Sequence, residues 1–222
     1  MTGVQTCALP IFVFYWLYHL LTVRTDLVIP SSFSELIVRI LTIKCIHLGT
    51  ISVLLYFEQD WHSMGFTLRN YKKQFMLGLL MGLGMFLLFN VGLSSILNII
   101  FPQPAGPSSI FIYFKDPKNL FIWLMIGIFG GGLVEELMRI FVLTRFEKQF
   151  NLYGLYIALI ISSVVFGTGH LYQGVGIAIS TGLSGLVLGA IYIRRRSAIE
   201  VITIHAFSDI LAILGAYKLA NP

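Results

Sequence analysis

Apolar residues run along the chain in long blocks that short polar gaps separate. The two longest blocks without Lys, Arg, Asp or Glu are Gln74 to Phe114, with 41 residues, and Gln149 to Ile193, with 45 residues. A helix needs ~20 apolar residues to cross the hydrocarbon core of a bilayer, so each block has room for about two spans. The pattern predicts an integral, multi-pass membrane protein built of helices.

The apolar runs, prolines and polar gaps together predict an all-α, polytopic transmembrane bundle of about seven helices. We expect these helices at approximately 12–23, 35–57, 75–100, 119–148, 152–171, 175–193 and 198–217. Four prolines within 101–118 predict a loop there, because proline cannot continue a helix. The chain therefore divides into N-terminal membrane helices with a Pro-rich loop, over 12–118, and a group of core helices over 119–222.

The first eleven residues, MTGVQTCALPI, do not fit this scheme. They back-translate smoothly to a widely used sequencing-adapter sequence, and we expect 1–11 to be an assembly artefact. On this interpretation the natural chain begins upstream of Phe12, and the helix expected at 12–23 is truncated. A signal peptide fits poorly, because no basic segment precedes the apolar run.

Charged residues make up only 11% of the chain, against roughly 25% in a typical soluble domain. The two Cys residues are too few for a disulfide scaffold. The net charge of +5 comes from basic residues in the gaps 69–73, 145–148 and 194–196, which anchor and orient membrane helices. Alternating helices put these gaps on one side, which the positive-inside rule places in the cytoplasm. We expect the lipid bilayer as a partner and no nucleic acid.

Small residues recur at four-residue spacing in three of the predicted helices. The pairs are Gly78 with Gly82, Gly127 with Gly131, and Gly185 with Gly189. Such spacing lets membrane helices approach each other closely, and it predicts packing rather than chemistry.

Ionisable residues deep in three apolar helices are the main functional signal, because each one costs free energy in the membrane. They are Glu135, Glu136 and Arg139 on one helix, His170 on the next, and His205 and Asp209 on the last. Residues four apart share a helix face, so Glu135 could pair with Arg139, and His205 with Asp209. Counted from the basic gaps at ~1.5 Å per residue, the heights of these groups overlap. The sequence therefore permits convergence on one buried polar pocket.

Such a pocket can activate water. A buried carboxylate paired with an imidazole can take a proton from water as it attacks a carbonyl, and a His with a polar neighbour can stabilise the oxyanion. Peptide hydrolysis is the natural reaction. The same residues would also suit a zinc site with a bound water, a structural network, or an ion or proton pathway.

The motifs EELMR, FGTGH and HAFSD, in this order, resemble those of the CAAX protease and bacteriocin-processing (CPBP, or Abi) family of intramembrane proteases. This family includes the type II CAAX prenyl endopeptidases, and the resemblance makes 119–222 the catalytic core. It implies that Glu135 activates water with Glu136 and Arg139 as a supporting pair, and that His170 positions the water. Phe166 stands at the first position of the F-x-x-x-H motif. The resemblance also implies that His205 and Asp209 stabilise the oxyanion.

The resemblance implies an intramembrane endopeptidase, in a bacterial cell membrane, that cleaves a peptide or a membrane protein near the membrane surface. The expected roles are peptide maturation, self-immunity against bacteriocins or processing of membrane proteins. We favour a glutamate mechanism without a cofactor; the alternative is zinc held by Glu135, His170 and His205.

One feature departs from the family pattern. Two residues separate Glu136 from Arg139, where the family motif has three. The altered spacing leaves a non-catalytic scaffold or immunity protein of the same fold as the main alternative. A proton-coupled transporter that uses the same buried groups is a further one.

Overall fold

The computed structural model describes residues 32–58, 62–102 and 111–222, and within these ranges the chain is helical without strands. The segment 1–11 and the helix expected at 12–23 lie outside the described residues. The regular elements of the described ranges are the α-helices α1 (Phe33–Glu58), α2 (Tyr71–Met85), α3 (Ser94–Ile100), α4 (Pro117–Met125), α5 (Glu136–Thr168), α6 (Val175–Arg195) and α7 (Ala198–Ala220). Two π-helical segments, π1 (Phe86–Leu93) and π2 (Ile126–Glu135), join α2 to α3 and α4 to α5.

Five helices among the described residues are long and apolar enough to cross a membrane. They are Phe33–Tyr56, Tyr71–Ile100, Pro117–Thr168, Val175–Arg195 and Ala198–Ala220. The prediction of an all-helical membrane bundle is confirmed, but the number seven is not.

Part of this difference lies in the longest helix. The helices expected at 119–148 and 152–171 form one helical stretch of 52 residues. Its backbone breaks at Phe150 and Asn151, and Asn151 has a φ of 56°. The break falls in the polar gap between the two predicted helices, so the direction of the chain changes there without a separate loop.

Helix α7 lies between α2 on one side and π2 on the other, and glycines allow both contacts. A Cβ atom added to Gly78 of α2 would lie 2.6 Å from the Cβ of Thr203, and one added to Gly132 of π2 would lie 2.5 Å from the Cβ of Ala206. Real Cβ atoms do not approach other atoms so closely. The prediction of close packing is confirmed for Gly78, whereas Gly132 was not among the predicted glycines. The contact at Gly132 brings α7 against the segment that carries the paired glutamates.

The largest apolar cluster fixes α5 against its neighbours. It contains side chains from α1, α5, α6 and α7, among them Ile51, Leu55, Ile140, Phe141, Leu143, Leu155, Tyr192 and Val201, which are at most 1% exposed. Burial of such side chains contributes roughly 1.5–3 kcal/mol each in water, and in a bilayer the same contacts act through close packing. The cluster therefore holds the first turns of α5, where Glu136 lies, in a fixed position.

The three basic gaps meet at one end of the bundle. Arg196 donates two hydrogen bonds to Glu147, at 2.5 and 2.6 Å, and these bonds raise the pKa of the Arg196 guanidinium above its usual value. Ser197 donates a hydrogen bond to Gln74, which follows the first basic gap. The prediction that the gaps share one side is thereby confirmed.

Candidate active site

Glu136 begins α5, and its side chain is fully buried, with 0% exposure. Its Oε1 atom accepts a hydrogen bond from the guanidinium of Arg139 and lies 2.7 Å from Nδ1 of His205. An ionised carboxylate only accepts hydrogen bonds, so Nδ1 of His205 carries the hydrogen in this contact. Two donors thus satisfy the buried carboxylate, and the one from His205 joins α5 to α7.

Arg139 pairs with Glu136, as the supporting pair implied by the resemblance. The pair with Glu135 that the four-residue spacing permitted does not form. Residues three apart and residues four apart both share a helix face, so either glutamate can reach Arg139, and Glu135 is bound by Lys44 instead. The shorter spacing in EELMR is therefore compatible with a Glu–Arg pair, formed by the second glutamate.

Glu135 has different partners. Its Oε1 accepts a hydrogen bond from Nζ of Lys44 on α1, and its Oε2 lies 3.7 Å from Nε2 of His205. The side chain is 20% exposed, in contrast to the complete burial of Glu136. Glu135 is therefore the glutamate with an accessible carboxylate.

Lys44 is the member of this cluster that the sequence analysis did not predict. It lies near the middle of α1, 91 positions before Glu135, and its side chain is 18% exposed. The available signal was the lysine itself, because a cation inside an apolar membrane helix needs a partner. The sequence does not say which carboxylate pairs with it, since α1 lies far from the motifs in the chain.

His205 and Asp209 lie one turn apart on α7, as predicted, with Nε2 of His205 3.6 Å from Oδ2 of Asp209. This distance is too long for a direct hydrogen bond, so the contact is electrostatic. The glycines of π2 make room for Asp209. A Cβ atom added to Gly131 would collide with the Asp209 carboxylate, and one added to Gly127 would lie 3.2 Å from its Cβ.

His170 follows the end of α5 at Thr168 and lies outside the membrane-spanning helices, which corrects its predicted position within the helix expected at 152–171. Its Nδ1 lies 2.8 Å from the carbonyl oxygen of Phe166, which only accepts, so Nδ1 donates and the lone pair of the neutral ring is on Nε2. Burial lowers the pKa of His170 below its usual value, against the attraction of Glu135 and the hydrogen bond to Phe166. Burial thus favours the neutral form of the ring, in which Nε2 can accept a proton.

The Phe166 ring contacts three polar groups of the cluster. Its centre lies 4.6 Å below the Arg139 guanidinium, 5.0 Å from the ring centre of His170 and 5.7 Å from that of His205. Gly185 of α6 leaves space for this ring, since a Cβ there would lie 2.8 Å from the Cδ1 atom of Phe166. The residues predicted on three helices are thus brought together in one cluster.

The zinc alternative requires Glu135, His170 and His205 to share one ion. Among the residues that the structure describes, no three His, Cys, Asp or Glu side chains are placed to hold a metal. Glu136 binds Nδ1 of His205 and Lys44 binds Oε1 of Glu135, so these contacts involve neither Nε2 of His205 nor Oε2 of Glu135. The cofactor-free mechanism and its zinc alternative both stay predictions.

Residues 117–211 match the family described as type II CAAX prenyl endopeptidase Rce1-like. The matched segment contains all seven site residues expected from the motifs, whereas Lys44 lies outside it. No curated protein and no solved structure matches the chain. The match confirms the resemblance to the CAAX protease family, and protease activity is supported at the level of that family.

Proposed function

We propose, on the basis of the match to the CAAX protease family, that the protein is an intramembrane endopeptidase in which Glu135 activates water to hydrolyse a peptide bond near the membrane surface. One observation carries the proposal. Within the matched segment, His205 lies between the two glutamates, 2.7 Å from Glu136 and 3.7 Å from Glu135, with Asp209 beside it.

Glu135 is the proposed general base because its carboxylate is accessible, whereas that of Glu136 is enclosed. Water attacks the carbonyl carbon of the substrate and transfers a proton to Glu135. The tetrahedral intermediate then collapses, the C–N bond breaks, and Glu135 gives the proton to the leaving amine. His170, neutral and with its lone pair on Nε2, assists by accepting a hydrogen bond from the same water.

His205 and Asp209 are the proposed oxyanion-stabilising pair. Stabilisation of negative charge by His205 requires a hydrogen on Nε2, in addition to the one that Nδ1 donates to Glu136. His205 therefore acts as an imidazolium in this step, and Asp209 balances its charge. Glu136 and Arg139 do not contact the substrate; they hold the His205 ring in place.

The proposed substrate is a peptide or a membrane protein, and the proposed location is a bacterial cell membrane. Bacteria usually lack prenylated CAAX proteins, so we propose maturation of peptides, self-immunity against bacteriocins or processing of membrane proteins. The scissile bond must reach the exposed part of the Glu135 side chain, so we propose that it enters the bundle from the membrane or from the membrane surface.

The test is cleavage of a quenched fluorescent peptide library by the purified protein in detergent, with and without a strong chelator. We expect cleavage that survives chelation and is lost in Glu135→Gln. The matched control is Glu35→Gln, which makes the same chemical change at an exposed pair with Arg39 on α1 and should leave cleavage intact.

Other outcomes separate the alternatives. Full activity in a folded Glu135→Gln variant would contradict the proposed base, and loss of cleavage on chelation would support the zinc mechanism. If the folded wild type cleaves nothing but Glu135→Gln still protects cells against a bacteriocin, the protein is a scaffold or immunity protein.

A further inference from the structure

Lys44 belongs to a helix that lies outside the segment matched to the protease family, yet it contacts the proposed base. Its neighbour on the same helix, Arg39, behaves differently, because it pairs locally with Glu35 at 2.5 Å and both side chains are exposed. Lys44 instead extends to a carboxylate 91 positions further along the chain. The pair therefore connects α1 to the candidate active site.

Charge balance explains why a cation is needed there. Three carboxylates meet in the cluster, those of Glu135, Glu136 and Asp209, and each carries a negative charge when ionised. Arg139 balances one of them, and His205 in its protonated form balances a second. Lys44 supplies the third positive charge, and buried charges inside a membrane persist only when they are paired.

The contacts of Lys44 also fix the orientation of Glu135. The aliphatic stem of Lys44 packs beside Gly130 of π2, where a Cβ atom would make ordinary van der Waals contacts with it, 3.5 Å from Cε and 3.7 Å from Cγ. The ammonium group at the end of this stem binds Oε1 of Glu135. With Oε1 held, the second oxygen, Oε2, faces His205 at 3.7 Å. A carboxylate held at one oxygen cannot rotate without breaking its ion pair.

We propose that Lys44 is a positioning residue of the active site, which holds the Glu135 carboxylate ionised and turns its Oε2 atom toward the reacting water, so that α1 forms part of the site. The inference rests on the proposed hydrolytic function. It adds a requirement for a residue outside the matched segment, and it assigns one oxygen of Glu135 to binding and the other to proton transfer.

The test compares Lys44→Met, Lys44→Arg and the control Arg39→Met on the same helix. Loss of a charge-assisted hydrogen bond to the base should reduce kcat by about 10- to 100-fold in Lys44→Met and leave KM nearly unchanged, because Lys44 does not contact the substrate. Lys44→Arg keeps the charge and should recover most of kcat. Arg39→Met should behave as the wild type.

A cycle of variants measured by thermal unfolding tests the ion pair independently of catalysis. Lys44→Met and Glu135→Gln should each lower the unfolding temperature, and the double variant should lose less than the sum, because neither charge is then left without its partner. If Lys44→Met does not fold, Lys44→Gln, which keeps a hydrogen-bond donor, replaces it in both measurements.

The outcomes distinguish the two proposals. Wild-type kcat in a folded Lys44→Met, or additive losses of unfolding temperature while the wild type is active, overturns the role of Lys44 alone. A folded wild type without any hydrolysis overturns the proposed function, and the positioning role with it. Reduced kcat at unchanged KM, rescue by Lys44→Arg and non-additive stability together support the inference.

Discussion

Nδ1 of His205 and the guanidinium of Arg139 both donate to the same oxygen, Oε1 of Glu136, although His205 is 69 positions away from Glu136 in the chain. The other carboxylate oxygen, Oε2, is buried and has no hydrogen-bond partner among the described residues. A single oxygen thus connects α5 to α7. The two neighbouring glutamates thus have different partners, since Glu135 lies within hydrogen-bond distance of neither donor and is bound by Lys44.

Glu136→Gln should destabilise the fold more than Glu135→Gln. Removal of the Glu136 charge leaves the buried guanidinium of Arg139 without its anion, and breaking a buried pair in this way costs about 3–5 kcal/mol. Glu135 is partly exposed, and its loss should cost less. Unfolding of both variants in detergent, followed by heating or by denaturant, measures the difference. Equal stability of the two variants would contradict the expectation that the buried Glu136 pair contributes more to the fold than the partly exposed Glu135.

The glycine that makes room for Asp209 gives a second prediction. Gly131→Ala puts a methyl group where the Asp209 carboxylate lies, so the carboxylate must turn away from His205. We expect a folded protein with hydrolysis reduced at least roughly 10-fold, since displacement of a charged group in a site costs more than ~1.4 kcal/mol.

Gly84→Ala is the matched control, because nothing lies within 4 Å of a Cβ at that position. Alanine in an exposed helix is more favourable than glycine by roughly 0.5–1 kcal/mol, so this variant should be active and slightly more stable. Activity assays and unfolding curves of both variants provide the comparison. Wild-type activity in Gly131→Ala would show that the position of Asp209 does not matter.

The sequence predicted the site through helical periodicity and the order of its motifs. The His205 and Asp209 pair follows from their four-residue spacing, and the overlapping heights predicted that the helices would converge. The spacing permitted a pair of Arg139 with Glu135, and the family resemblance implied a pair with Glu136, which is the one that forms. Periodicity does not choose between them, because residues three apart and four apart both share a helix face.

The sequence analysis did not predict that Lys44 belongs to the site. A lysine inside a membrane helix indicates that a partner is needed. The partner of Lys44 lies 91 positions away, and the sequence does not show which helices become neighbours. The packing of α1 against α5 and π2 decides the pairing. This packing depends on side-chain shapes over the whole bundle, which a sequence pattern does not encode.

Phe166 offers a third prediction, because its ring contacts Arg139, His170 and His205 at the same time. Phe166→Leu keeps an apolar side chain but loses the aromatic face and edges. Cation–π and aromatic contacts contribute about 0.5–2 kcal/mol, so hydrolysis should fall roughly 10-fold with little change in folding. Phe129→Leu, at a residue 56% exposed on π2, is the control and should keep full activity. Equal activity of the two variants would contradict the contribution of the ring.

The pH dependence of hydrolysis should reflect the buried position of His170. Burial lowers the pKa of its imidazole below the usual value of about 6.5, and the charged groups that act on it are Glu135, Lys44 and His205. A group that works as a neutral acceptor is active above its pKa, so a lowered pKa extends activity to lower pH. We expect the contribution of His170, the ratio of wild-type kcat to that of His170→Gln, to fall to half of its value at pH 8 only at a pH below about 6.5. Parallel pH profiles of the two proteins measure this ratio. A ratio that has already fallen to half at pH 6.5 or above would contradict the prediction, because the pKa of His170 would then not be lowered.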